Sequence, residues 1–183
     1  GLDRKLECVR RVAGAVAALD AAKIVHACLC PVTVLLDGDF HAIVSEAGLV
    51  SISASLAGDR ENVFGYGAYA APEVRDGTAA DARSDIFSLG KLLAFLLLEA
   101  EPAEELEKIP RLEALATTAP AGLVRIIRKC TSLAPDARYG AVADLLAELD
   151  KYTSHDSVGV AHPSVADKNT GATMQAPPAP PAS

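Results

Sequence analysis

Three residues with soft or protonatable side chains alternate over five positions, His26-x-Cys28-x-Cys30, and two more oxygen-bearing side chains follow at Thr33 and Glu46. On an extended segment the alternation would set three soft ligands on one side and invite zinc. No fourth ligand is evident, however, and the spacing is not the usual Cys-x₂-Cys. The plainer reading makes Cys28 and Cys30 small buried apolar residues, His26 a packing histidine and Glu46 a solvated loop carboxylate. The four cysteines, Cys8, Cys28, Cys30 and Cys130, are scattered and form no disulfide framework, so a reducing, cytoplasmic setting is expected.

The elements around these residues follow from periodicity. Val9, Val12, Ala13, Val16 and Leu19 recur at helical spacing and predict one amphipathic helix from Leu2 to Leu19. Val32 to Leu36 and His41 to Ser45 read as short strands joined around the turn signal Asp37-Gly38-Asp39. Leu49 to Gly67 is polar and reads as a loop. Asp85 to Leu98 is apolar nearly all round, as a helix buried on every side would be. Two further helices place Leu123, Ile126, Ile127 and Cys130 on one face and Val142, Leu145, Leu146 and Leu149 on another.

Several short segments, in order, resemble landmarks of the protein kinase superfamily, serine/threonine type. His26-Ala27-Cys28-Leu29-Cys30-Pro31-Val32-Thr33-Val34-Leu35 resembles the catalytic loop, and Ser45-Glu46-Ala47-Gly48-Leu49 the start of the activation segment. Gly65-Tyr66-Gly67-Ala68-Tyr69-Ala70-Ala71-Pro72-Glu73 closes like the Ala-Pro-Glu end of that segment. Asp85-Ile86-Phe87-Ser88-Leu89-Gly90 looks like the start of the central C-lobe helix, and Pro135-Asp136-Ala137-Arg138 carries the Arg that pairs with the Glu of Ala-Pro-Glu. The implied fold is mainly α, the helical C-terminal lobe of a kinase with a small β-hairpin, spanning residues 1–152. No residue before His26 resembles the Gly-rich loop, strand Lys or helix Glu that hold ATP, so the N-lobe is expected to be absent.

The resemblance also says what has been replaced. Where the family has the Asp that accepts the substrate proton stands Cys28, and losing a positioned base typically costs on the order of 10²- to 10⁴-fold in rate. Cys30 stands for the loop Lys, Thr33 for the metal-binding Asn, and Glu46 for the metal-loop Asp, one methylene longer than magnesium geometry favours. Glu46 is thus a weak candidate for binding metal or cofactor. Ala47 removes the usual Phe anchor, and Ala27 removes the Arg that would receive a phosphate on Ser51, Ser53 or Ser55. Retained residues are architectural: His26, Gly48, Glu73, Asp85 and Arg138, with Glu73 and Arg138 expected to pair and Asp85 to hold the loop backbone. The pattern implies a pseudokinase C-lobe acting as a protein-binding or regulatory scaffold, without cofactor. The alternatives are a kinase with unorthodox residues that uses ATP and magnesium, and a fragment with no function of its own.

Composition agrees with that reading without producing it. The chain has 183 residues, is 50% hydrophobic and 22% charged, and has length for one core. A net charge of -7, with no basic run, gives no reason to approach nucleic acid. The apolar run Leu92 to Leu98 is far short of the roughly 20 residues of a bilayer span. The Pro/Ala-rich stretch within residues 153–183 is expected to be a disordered tail or linker. Gly1 at the start and Met174 as the only methionine suggest a piece of a larger polypeptide. That larger polypeptide, or a protein partner, is what the scaffold is expected to serve. Ala-rich helices suggest a bacterial chain.

Overall fold

The computed structural model describes residues 1–37, 41–47, 67–78, 80–99, 115 and 119–152. Readings placed on Gly48, on the loop up to Tyr66, on Ser51, Ser53 and Ser55, and on the tail at 153–183 lie outside these residues.

The first helix, α1 (Leu2–Ala21), buries the stripe Leu6, Val9, Val12, Ala13 and Val16. Leu19, expected on that stripe, is only half-buried, and Leu6 opens it instead. A 3₁₀ turn (Pro31–Thr33) leads into β1 (Val34–Leu36), which pairs antiparallel with β2 (Ala42–Val44). Both strands are shorter than the β-rich runs predicted, β1 because the residues before Val34 are drawn into the 3₁₀ turn. The register sets Val34 opposite Val44, Leu35 opposite Ile43 and Leu36 opposite Ala42. Below the strands the hairpin is tied by Asp37, whose N–H donates to the His41 carbonyl while its carboxylate accepts from the His41 N–H at 2.7 Å.

A short helix α2 (Pro72–Arg75), with proline at its start, precedes the long α3 (Ala82–Leu98). Asp81 caps α3 by accepting the Arg83 N–H at 2.8 Å, and its own N–H donates to Ser84 Oγ, so the helix starts one turn earlier than apolar periodicity indicates. Every residue from Ser84 through Ala94 is buried. Phe95 to Leu98 are only half-buried, so the apolar run surfaces at its C-terminal end. The last helices are α4 (Ala121–Cys130) and α5 (Val142–Leu149), flanked by 3₁₀ turns at Pro135–Ala137 and Asp150–Tyr152. Helix α3 forms the axis, with α1 and α4 against it and α5 against α1. The result is mainly helical with one small two-stranded sheet.

The contact between α3 and α4 depends on a missing side chain. A Cβ at Gly90 would meet Cys130 Cβ at 2.4 Å, so only glycine lets the two backbones come this close. A Cβ at Gly14, on the exposed side of α1, would meet nothing within 4 Å. Gly90→Ala should therefore destabilise the fold by about 1–3 kcal/mol through overpacking. Gly14→Ala should stabilise it by about 0.5–1 kcal/mol through lost unfolded-state entropy. Urea midpoints of the two variants check both signs.

Candidate functional site

Asp85, near the start of α3, reaches across to the loop before β1. Its Oδ2 accepts the His26 N–H and its Oδ1 the Ala27 N–H, both at 2.8 Å. Ala27 is held at φ 65°, a left-handed conformation that costs an alanine about 1–2 kcal/mol. Hydrogen bonds to a charged group contribute about 1.5–3 kcal/mol each, so two of them outweigh the strain. Burial pushes the Asp85 carboxyl up to about 6, against the two N–H donors that favour its charged form.

The kink at Ala27 decides where the neighbouring side chains go. His26 is fully buried, and its Nε2 lies 2.9 Å from the Ser45 carbonyl; a carbonyl only accepts, so Nε2 carries the hydrogen. Its Nδ1 is then an acceptor, 3.4 Å from both the Cys28 N–H nitrogen and Cys28 Sγ. Cys28 Sγ also lies 3.6 Å from the Glu46 carbonyl. Cys30 points elsewhere, with its Sγ 3.8 Å from Thr33 Oγ1. The zinc arrangement needed an extended segment, and the left-handed turn at Ala27 abolishes it. No cluster of three metal-ligating side chains occurs among the described residues.

Thr33 is fully buried and turned inward. Its hydroxyl accepts the Cys30 N–H at 3.0 Å and lies 3.0 Å from the Cys30 carbonyl, closing the 3₁₀ turn on itself. Its own carbonyl accepts the Ser45 N–H at 2.9 Å, which carries the loop's position to the next segment. There Glu46 is exposed and, like Ala27, left-handed at φ 65°. Magnesium asks for several oxygen ligands in near-octahedral array. With a thiol at Cys28 and the Thr33 hydroxyl engaged within its own turn, the residues present do not fit it.

The second hub is ionic. Arg138 Nη1 and Nη2 donate to the two Glu73 carboxylate oxygens at 2.6 and 2.9 Å. Nε donates to the Ser132 carbonyl, and the remaining Nη hydrogens go to the carbonyls of Arg83 and Leu133, so every N–H of the guanidinium has a partner. Arg138 also lies over the Phe87 ring, 5.0 Å from its centroid. Its side chain is fully buried and that of Glu73 is 13% exposed. Burial opposes ionisation of Glu73, but hydrogen bonds from Arg138, its own backbone and Ser84 outweigh it and hold the carboxyl below its usual value.

The family model for "Protein tyrosine and serine/threonine kinase" matches residues 1–145. The chain belongs to the protein kinase family. It is 30% identical over 155 residues to the serine/threonine-protein kinase PknL of Mycobacterium tuberculosis, covering 78% of this chain and 39% of that protein. It is likewise 30% identical over 143 residues to the probable serine/threonine-protein kinase PkwA of Thermomonospora curvata, covering 73% and 19%. The probable serine/threonine-protein kinase PknB of Lactococcus lactis is 25% identical over 169 residues, covering 86% and 27%. The chain thus spans less than two-fifths of the length of these kinases.

In this kinase-family chain the structure joins His26, Cys28, Thr33 and Glu46 around one loop, and Glu73 with Arg138 some distance along the chain. Cys30 faces into its own turn and Gly48 lies outside the described residues. Sequence reasoning missed the polar struts of α3: Ser84 Oγ donates to Glu73 Oε1 at 2.8 Å, and Ser88 Oγ to the Tyr69 carbonyl at 2.9 Å. Two serines inside a mostly apolar buried helix were the available signal, since a buried hydroxyl needs a partner. It also missed the bridge from Arg83 to Asp81 and Asp136, for which spacing gave no sign.

Removing either partner of the Glu73–Arg138 pair strands a charge in a mostly buried site. Glu73→Ala and Arg138→Ala should each cost about 3–5 kcal/mol. The double variant should lose clearly less than their sum. A double-mutant cycle by chemical denaturation measures this directly.

Proposed function

We propose that the chain is a catalytically degenerate kinase-family domain that serves as a protein-binding or regulatory scaffold and takes neither ATP nor magnesium. The observation that carries the reading is the loop from His26 to Thr33: a thiol at Cys28 where a proton acceptor belongs, and a Thr33 hydroxyl engaged within its own turn. Phosphoryl transfer needs a positioned base and a held metal, and neither role has a fitting side chain here. The frame around those positions is intact, which is what a module used for its surface requires.

The surface supports a protein partner or the rest of a larger polypeptide. Val32, Leu35, Leu36 and Ile43 are each between 46% and 67% exposed around the hairpin. Beside them lies an apolar cavity of about 220 Å³ whose walls include Cys8 and Val12 of α1, Pro31 and Leu36, and Leu92 and Phe95 of α3. Leu36 joins the exposed side chains to the cavity, and exposed apolar surface gathered in this way is what an interaction site would offer. Among the described residues no helix is long and apolar enough to cross a membrane. The four thiols are unbridged, in keeping with a reducing, cytoplasmic setting, and the bacterial relatives above favour a bacterial chain. The second reading, an unorthodox kinase, rests on the exposed Glu46 carboxylate at the metal-loop position.

The test is a phosphotransfer assay with labelled ATP and magnesium on the chain itself and on a generic protein substrate. No incorporation above background is expected, and none after Cys28→Asp, Cys30→Lys and Thr33→Asn are combined. Metal-dependent incorporation that Glu46→Ala abolishes would select the kinase reading.

A further inference from the structure

One pair of side chains at the loop, His26 and Cys28, makes a contact that phosphoryl transfer does not use. Because Nε2 of His26 donates to the Ser45 carbonyl, Nδ1 presents its lone pair toward Cys28, whose N–H nitrogen and Sγ both lie 3.4 Å away; the thiol hydrogen is set between Nδ1 and the Glu46 carbonyl, 3.6 Å from Sγ. Burial holds the His26 pKa below its usual value, so at neutral pH the ring is uncharged and able to accept a proton. A nucleophile, a base within reach and a third group that orients the base are the parts of an activated thiol. The other cysteines lack them. Cys30 sits against a hydroxyl, burial pushes the Cys130 thiol up to about 12, and burial also raises that of Cys8.

Access selects the reagent. Cys28 is only 3% exposed, which excludes a bulky disulfide or acyl donor and admits a small one. We propose that Cys28 is an oxidation site for a small peroxide-class oxidant, with His26 as its base. Nδ1 takes the thiol proton as sulfur attacks one peroxide oxygen. The O–O bond breaks, and the departing hydroxide receives the proton and leaves as water. Sulfur is oxidised to sulfenic acid while the peroxide is reduced. The new oxygen lies beside the Glu46 carbonyl that Sγ now contacts at 3.6 Å, so the oxidation state of Cys28 is registered at the segment that begins at Ser45. None of this depends on the scaffold reading.

The test treats the full 183-residue chain with hydrogen peroxide, removes the excess, then unfolds it in urea with dimedone present so that burial does not bar the trap, and maps the adducts by peptide mass spectrometry; the rates compared are those of the peroxide step. The urea-unfolded chain is the reference. In the folded chain Cys28 should be trapped at least about tenfold faster than Cys30 or Cys130, and faster than in the unfolded chain. His26→Gln, checked for folding by circular dichroism, should slow Cys28 by at least about tenfold and leave Cys8 unchanged. Trapping confined to Cys8, or no faster at folded than at unfolded Cys28, overturns the proposal, and the comparison of folded with unfolded wild type decides it even where the variant does not fold.

Discussion

A single carboxylate fastens the loop of this protein to its core. Asp85 sits on the buried helix α3 and accepts two backbone N–H groups from residues 26 and 27. Everything about the loop's shape follows: the left-handed Ala27, the inward-facing His26, and through Nε2 the placement of Ser45 and then Glu46. The arrangement is costly, since a carboxylate 2% exposed resists ionisation. It holds because the two N–H groups that compensate are presented to the carboxylate from a loop packed on α3, which is itself held by its Asp81 cap and by the close approach at Gly90.

Glu73 and Arg138 do the same work for other segments that meet the start of α3. One guanidinium gathers a carboxylate and three backbone carbonyls from separate segments, so α2, the start of α3 and the turn before α5 are set relative to one another by one side chain. Buried charge of this kind is poor evidence for raw stability but good evidence for a specified geometry. A chain that keeps two such hubs has kept the shape of its family, and on the function proposed above the thiols and the engaged hydroxyl of its loop replace the donor set for phosphoryl transfer.

How far the sequence revealed this varies with the physics of each feature. Helices were legible where one face is apolar: the stripe through Val9, Val12, Ala13 and Val16 gave α1, and the all-round run gave α3 as the axis. Boundaries were less so, because Asp81 caps α3 through a polar contact that apolar periodicity does not register. The long-range pair Glu73–Arg138 and the reach of Asp85 came from family resemblance, for no local pattern links residues 65 or 59 positions apart. The zinc alternative could not be settled from spacing, since alternation implies a shared side only on an extended backbone and Ala27 is not extended. That a hydroxyl at Thr33 replaces the metal-binding Asn came from the resemblance; that it closes its own 3₁₀ turn depends on hydrogen-bond geometry alone.

The central claim, a kinase-family frame without the donors for nucleotide and metal, is tested most directly by melting the chain with and without millimolar ATP and magnesium. A ligand present at about 100 times its dissociation constant stabilises by about 2.7 kcal/mol. For a domain of this size that corresponds to a shift of at least about 5 °C. We expect no shift beyond the scatter of repeated melts. A reproducible, magnesium-dependent rise of several degrees that Glu46→Ala removes would contradict the account and restore a nucleotide site to this loop.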